Sequence, residues 1–304
     1  MTASEDRWID LCDPSETELL AVLPPDVHEV ARERLLRPAA VDYEPRPRLE
    51  AHGTYIFGIL AIAQYAGDDQ IVFQEVGVVV TLNELITVRK TPPGHEPAHL
   101  DECRNGALRS GAAPGMCLYA LVDEIAEQFI DLVDRFDDEI DELEDHVLDW
   151  ESKRIRERIS KLRHDILHVR RVLAPTRDAA RAVLDDRVEL DSGALFPRDI
   201  ELRFADAYDK LLRATDGLDL ARDLLAGVRD FHQAEIANNQ NEVTKKLAAI
   251  GSMLLVPTLI VGWYGQNFVH MPELRWQYGY QFSWLLIVTT TVAQLIYFRR
   301  KKWI

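Results

Sequence analysis

The chain has 304 residues, with 51 Asp and Glu against 35 Lys and Arg and a formal net charge of −16. That balance argues against nucleic acid as the main partner, because phosphate binding needs clustered Lys and Arg. It leaves solubilising surface charge or a surface that attracts cations.

Met1 to Cys12 is polar and acidic and lacks the basic and apolar regions of a signal peptide, so membrane insertion is expected from the C-terminal end. Asp13-Pro14-Ser15-Glu16 is a helix-start signal, and Leu19 to Leu23 supplies the apolar face behind it. Pro25 to Leu36 is a second helix candidate, stopped by Arg37-Pro38. Tyr55 to Gln64, Ile71 to Thr81 and Leu85 to Lys90 are rich in Val, Ile and aromatics. Gly67-Asp68-Asp69 and Asn83-Glu84 separate them, which predicts consecutive antiparallel strands. Thr91 to Pro97 closes this region. Cys12, Cys103 and Cys117 are dispersed and form no CxxC pair, so they read as reduced thiols in a cytosolic domain.

From Leu118 the apolar residues recur at spacings of three and four through Leu148, opposite a run of carboxylates from Asp123 to Asp145. That acidic face could concentrate cations; the plainer expectation is that it pairs with the basic stretch around Lys153 to Arg171 of the helix that follows, Ser152 to about Val183. His164 and His168 within that helix have the i, i+4 spacing of a metal face, but no third ligand is near, and two exposed histidines are the plainer reading. Pro197 opens a third pattern that runs through Asn241 to Tyr264. If continuous, it is a helix roughly 100 Å long that couples a soluble domain to the membrane.

Leu247 to Tyr264 and Gly279 to Phe298 carry no charge. At about 18–20 residues, each matches the hydrocarbon thickness crossed by an α-helix. Pro257 is expected to bend the first span modestly. Lys245 and Lys246 precede that span and Arg299, Arg300, Lys301 and Lys302 follow the second, which puts both termini in the cytoplasm. Two helices cannot enclose a polar pathway, so movement of a solute requires oligomerisation.

The turn Tyr264-Gly265-Gln266-Asn267-Phe268, the loop Met271-Pro272-Glu273-Leu274-Arg275-Trp276 and the ending Tyr297-Phe298-Arg299-Arg300-Lys301-Lys302-Trp303 together resemble the CorA family of divalent-cation channels. Trp8-Ile9-Asp10-Leu11 with Asp13-Pro14, Arg46-Pro47-Arg48-Leu49-Glu50, Phe204-Ala205-Asp206-Ala207-Tyr208-Asp209 and Asn241-Glu242-Val243 extend the resemblance over nearly the whole chain. The family carries Gly-Met-Asn; here Gln266 replaces the Met.

The resemblance implies a homopentamer with the first span lining an axial pore. Gly265, Gln266 and Asn267 would form the entrance and selectivity ring, and Asn241, Thr244, Leu247, Gly251, Leu255 and Thr258 the pore face. Gly265 would permit an unusual backbone at the helix end, and the Asn267 amide would meet a cation or its water shell, although Asn at a helix end is also an ordinary cap. Neutral oxygens suit a magnesium ion that keeps its waters. Leu247 would be a dewetting constriction, and Thr244 stands where relatives often place a second apolar ring. Asp206 would help bind a regulatory divalent ion near a neighbouring subunit, and Asp230 would form an acidic ring on the axis; solvated surface aspartates are the alternative for both. Glu75 and Glu84 are candidate partners for Asp206. Glu273 could attract cations, offset by Arg275.

The expected fold class is an α+β cytoplasmic domain with a small antiparallel-rich sheet, a long stalk helix and a C-terminal two-helix transmembrane hairpin. The boundaries fall at about 1–114, 115–240 and 241–304, with spans at about 247–264 and 279–298. The implied function is Mg2+ transport in the cell (inner) membrane, with bilayer lipid, divalent cations and further copies of the chain as partners. A transporter of Zn2+, Co2+ or nickel, or a non-conducting ion sensor, are the alternatives. No nucleophile–base set or phosphate-binding loop appears, so an enzyme is not expected.

Overall fold

A computed structural model describes residues 7–39, 44–66, 70–109, 113–191, 193–266, 271 and 275–304. It divides into two compact units, Met1–Val228 and Arg229–Ile304.

The first unit is built on a five-stranded sheet. β1 (Trp8–Cys12), β2 (Arg48–Ala51), β3 (Ile56–Ala66), β4 (Gln70–Val80) and β5 (Leu85–Arg89) lie in the order β1-β5-β4-β3-β2. The meander β3-β4-β5 is antiparallel throughout, as the Val- and Ile-rich runs require, and β2 pairs antiparallel with β3. β1 instead runs parallel to β5, Trp8 opposite Leu85 and Cys12 opposite Arg89. Parallel pairing needs a long crossover, and here everything from α1 to β4 supplies it.

Alternation along the strands feeds two apolar layers. Tyr55, Phe57, Ile59, Val79, Ile86 and Val88 pack beneath α1 (Glu16–Val22) and α2 (Glu29–Leu36), which contribute Leu19, Ala31 and Leu35. Ser15 caps α1 in a capping box with Glu18; Pro14 precedes the cap and lies outside the first turn. Gly77 leaves room for α2, since a Cβ there would meet Leu35 Cδ2 at 2.3 Å. The opposite face, with Trp8, Ile56, Leu60, Ile62, Val76, Val78 and Leu85, is covered by the long helices. These are α4 (Pro114–His146) and α5 (Ser152–Leu184); α6 (Arg198–Tyr264) adds Phe204, Leu211 and Leu218 to the same core, and a short α3 (Asp101–Arg109) packs on α4. The apolar stripe of α4, including Leu118, Leu121, Ile125, Phe129, Leu132, Phe136, Ile140 and Leu143, is buried along its whole length.

α6 is one helix of 67 residues and continues through Pro257. Its last part and α7 (Gly279–Arg300) make up the second unit's secondary structure. Both helices are long and apolar enough to cross a membrane, and almost none of either apolar window is buried by the chain itself. Gln294 Nε2 of α7 donates to Ser252 Oγ of α6 at 3.2 Å. α7 ends in a Schellman motif: Trp303 N–H bonds to the Phe298 carbonyl at 3.0 Å and Lys302 N–H to the Arg299 carbonyl at 3.1 Å. Lys302 takes the left-handed position, φ 56°, where a side chain costs about 1–2 kcal/mol relative to glycine. The Trp303 ring stacks on Phe298 at 5.6 Å, the apolar contact that accompanies this motif.

Candidate functional site

At about 100° per residue, Asn241, Thr244, Leu247, Gly251, Leu255 and Thr258 fall within an arc of about 120° on α6. All six are exposed. Leu247 is 64% and Leu255 67% exposed, so the chain leaves two large apolar side chains uncovered on this face. Nothing lies within 4 Å of where a Gly251 Cβ would be. The Thr244 hydroxyl donates to the Gln240 carbonyl at 2.8 Å and the Thr258 hydroxyl to the Leu254 carbonyl at 2.7 Å. With the hydroxyl protons directed into the helix, the oxygens keep acceptor lone pairs for an outside donor such as a cation's water. No acid or base stands on α6 after Lys246. The face thus offers small residues, neutral acceptors and two bulky aliphatic side chains.

Gly265 corrects the expectation of unusual backbone at the helix end. It does not adopt the left-handed region, and its N–H bonds to the Val261 carbonyl at 2.9 Å, an ordinary helical bond. What the glycine spares is a close approach, because a Cβ would lie 3.1 Å from that same carbonyl oxygen. The Gln266 N–H faces the Trp263 carbonyl at 3.5 Å. Asn267 and Glu273 lie outside the described residues.

Asp230 precedes Asn241 by eleven residues, three turns and about 20°, which places it on the same face. It is exposed, and its Oδ1 accepts from Arg229 at 3.0 Å. Asp206 lies a further 24 residues back on α6, within the first unit. Asp206 is exposed and has no ion pair among the described residues.

Glu75 proves to be an internal residue. It is 4% exposed, takes Arg34 Nη2 at 2.6 Å and Lys90 Nζ at 2.5 Å, and Lys90 also donates to the Arg34 carbonyl. Both its oxygens are committed, which removes it as a free partner for Asp206. Burial holds the Lys90 ammonium below the ordinary lysine range, against the pull of Glu75. Glu84 sits in the β4–β5 turn, where its backbone N–H bonds to the Thr81 hydroxyl at 3.2 Å.

The acidic face of α4 pairs only in part with α5. Arg158 reaches Glu142 at 3.0 Å and Glu139 at 3.7 Å, but Asp123 and Glu127 are held by Lys210 of α6, at 2.7 and 2.5 Å. Asp137 Oδ1 is buried without a hydrogen-bond partner, and burial followed by the charges of Asp134, Asp141 and Asp138 raises its pKa. His168 is half-buried, not exposed: its Nε2 faces Glu44 at 3.2 Å and its ring meets the edge of Phe73. Burial lowers its pKa, so the neutral ring is favoured. Among the described residues no group of three or more His, Cys, Asp or Glu is arranged to hold a metal ion. Burial and the nearby Glu124 and Asp123 push the Cys103 thiol up to about 12, which keeps it protonated and unreactive. The Ser252–Gln294 contact and the C-terminal turn were not read from the sequence. The five-residue spacing of Phe298 and Trp303 around four cations was the available signal for the second.

A family model described as CorA-like Mg2+ transporter protein matches residues 5–300. The cobalt/magnesium transport protein CorA of Thermotoga maritima is 26% identical, over 99% of this chain and 84% of its own length. The putative metal ion transporter YfjQ of Bacillus subtilis is 27% identical, over 97% of this chain and 89% of its own. The complete structure of the CorA magnesium transporter from Methanocaldococcus jannaschii superposes with a TM-score of 0.79 at 23% identity, covering 100% of this chain and 94% of that one.

Proposed function

Because the chain belongs to the CorA-like Mg2+ transporter family and is thereby a divalent-cation transporter, we propose that it forms a homopentameric channel that admits magnesium down its electrochemical gradient. The observation that carries this reading is the exposed, carboxylate-free face of α6 from Asn241 to Thr258. Two helices cannot surround an ion, so this face meets its counterparts in other copies. A hydrated magnesium ion then passes neutral acceptors through second-shell hydrogen bonds, and no fixed carboxylate binds it too tightly for release. Gly265, Gln266 and Asn267 form the outer entrance, Leu247 the dewetting constriction and Asp230 an acidic ring below it.

Lys245 and Lys246 before the first span and Arg299 to Lys302 after the second orient both termini to the cytoplasm of the inner membrane. The segments 1–114, 115–240 and 241–304 then act as sensing domain, stalk and pore. Gating follows from Asp206. Aspartates brought together across subunit interfaces repel unless a divalent ion neutralises them, so bound ion favours the closed ring and its loss favours the open one.

The test is ion uptake into sealed liposomes holding the full chain, read with separate magnesium- and zinc-responsive dyes, beside an Asn267→Ala variant. Magnesium entry abolished by that change supports the proposal and assigns the entrance. Zinc entry without magnesium transfers the chain to a zinc function and directs attention to Gln266. No entry of either ion from an intact oligomer overturns transport in favour of an ion sensor.

A further inference from the structure

We propose that the cytoplasmic end of the hairpin is a binding site for anionic phospholipid headgroups, built from Lys245, Lys246, Arg299, Arg300, Lys301 and Lys302. The inference rests on the membrane reading of α6 and α7 and concerns a ligand separate from the transported ion.

The Ser252–Gln294 bond sets the register of the two antiparallel helices. Six residues outward on each side, Lys246 stands level with Arg300, and Lys245 with Lys301. Six cations therefore share one level within about one helical turn. All six are exposed, and among the described residues none of them has an ion pair. Few carboxylates are near: Glu242, one turn before Lys245 and Lys246, has no ion pair among the described residues, and after it the sequence contains a single acidic residue, Glu273, between the two spans. In a chain of net charge −16 this is a segregated positive patch.

The basic ending is also a folded element and not a trailing tail. The Schellman bonds of Lys302 and Trp303, with the Trp303–Phe298 stack, hold the backbone carrying the four C-terminal cations in one turn. Lys302 occupies the left-handed position that glycine would take at lower conformational cost. A cation is thus kept where backbone preference opposes any side chain. Tyr297 and Trp303 flank the patch with the amphipathic rings that favour the headgroup level.

The occupant follows from position. A cluster of four to eight Lys and Arg directly beyond a transmembrane helix lies within a Debye length of an anionic leaflet. At this level the bilayer itself presents lipid phosphates to the patch.

The experiment uses the full chain in detergent, mixed with equal amounts of phosphatidylglycerol and phosphatidylcholine, with retained lipids counted by native mass spectrometry. The phosphatidylglycerol preference is expected to fall roughly tenfold in Arg299→Gln/Arg300→Gln and again in Lys301→Gln/Lys302→Gln. Each double variant keeps four of the six cations and so guards against misinsertion of the other. Trp303→Ala, which keeps every charge, should weaken the preference through loss of the fixed turn. Equal retention of the two lipids by the unaltered chain, or an unchanged preference in both double variants, overturns the site. Flux is not part of the readout: lipid preference without ion uptake removes the transport reading and leaves this site, and uptake without preference does the reverse.

Discussion

Gln294 and Ser252 meet side chain to side chain at 3.2 Å, joining the two membrane-crossing helices by a polar bond between otherwise uncharged segments. The Gln294 Oε1 on the other side of the amide is buried without a partner. Ser252→Ala leaves the amide nitrogen unpaired as well and should destabilise the hairpin by about 0.6 kcal/mol, the typical worth of such a bond in a membrane. Gln294→Leu also removes the unpartnered Oε1 and should cost less than Ser252→Ala. Thermal unfolding midpoints of the full chain in one detergent check the order.

Gly251 separates folding from conduction. Among the described residues nothing lies within 4 Å of where a Cβ would stand, and glycine is about 0.8–1.0 kcal/mol less favourable than alanine inside a helix. Gly251→Leu is therefore expected to hold or raise thermal stability. If this face lines the pore, the same change narrows it and should lower magnesium uptake by at least about tenfold. Loss of uptake alongside loss of stability would argue against the assignment.

Among the described residues, Glu75 is the carboxylate that Arg34 and Lys90 share. Glu75→Gln takes the buried counter-charge from Lys90 and should cost about 3–5 kcal/mol. Lys90→Met leaves the Arg34–Glu75 pair in place and should cost much less. Chemical denaturation of the full chain followed through the sheet's circular dichroism would rank the two; equal losses would show that Glu75 is not the keystone of the cluster.

Asp137 gives a pH dependence whose sign is fixed by its raised pKa. The folded chain holds the Asp137 proton more tightly than the unfolded chain, whose value is near the ordinary 3.8. Its contribution to stability therefore falls as pH rises from that value through the raised one. Asp137→Asn should accordingly raise the unfolding midpoint at neutral pH, with the advantage shrinking as pH is lowered towards about 4. A constant advantage at all pH values would point to packing instead of charge.

The parts legible in the sequence are those governed by local periodicity. The β3-β4-β5 meander followed from Val- and Ile-rich runs broken at Gly67-Asp68-Asp69 and Asn83-Glu84, and the three long helices followed from spacings of three and four. β1 and β2 escaped notice because they have five and four residues, too few for an alternation signal, and depend on partners far along the chain. α3 was missed for a related reason: its mixed sequence includes Gly106, and only Ala107 is fully buried. The same limit applied to charge. A basic α5 beside an acidic α4 suggested pairing between the two, but Lys210, near the start of α6, took Asp123 and Glu127. The α6 face from Asn241 to Thr258 was legible because a single helix determines which of its residues share a side; no such rule could place Glu75.

The parallel pairing of β1 with β5 bears on how the protein is made. Trp8 Nε1 reaches the Thr87 hydroxyl at 3.0 Å, a bond between residues 79 positions apart. At ribosomal rates of about 5–20 residues per second, the first strand waits roughly 4 to 16 s for its partner to be synthesised. Throughout that interval Trp8, fully buried in the finished molecule, has no native place to go. The nascent β1 thus carries one large uncovered ring, and the stage at which a chaperone has most to protect comes before the β3–β4 hairpin and its neighbour β5 have left the ribosome.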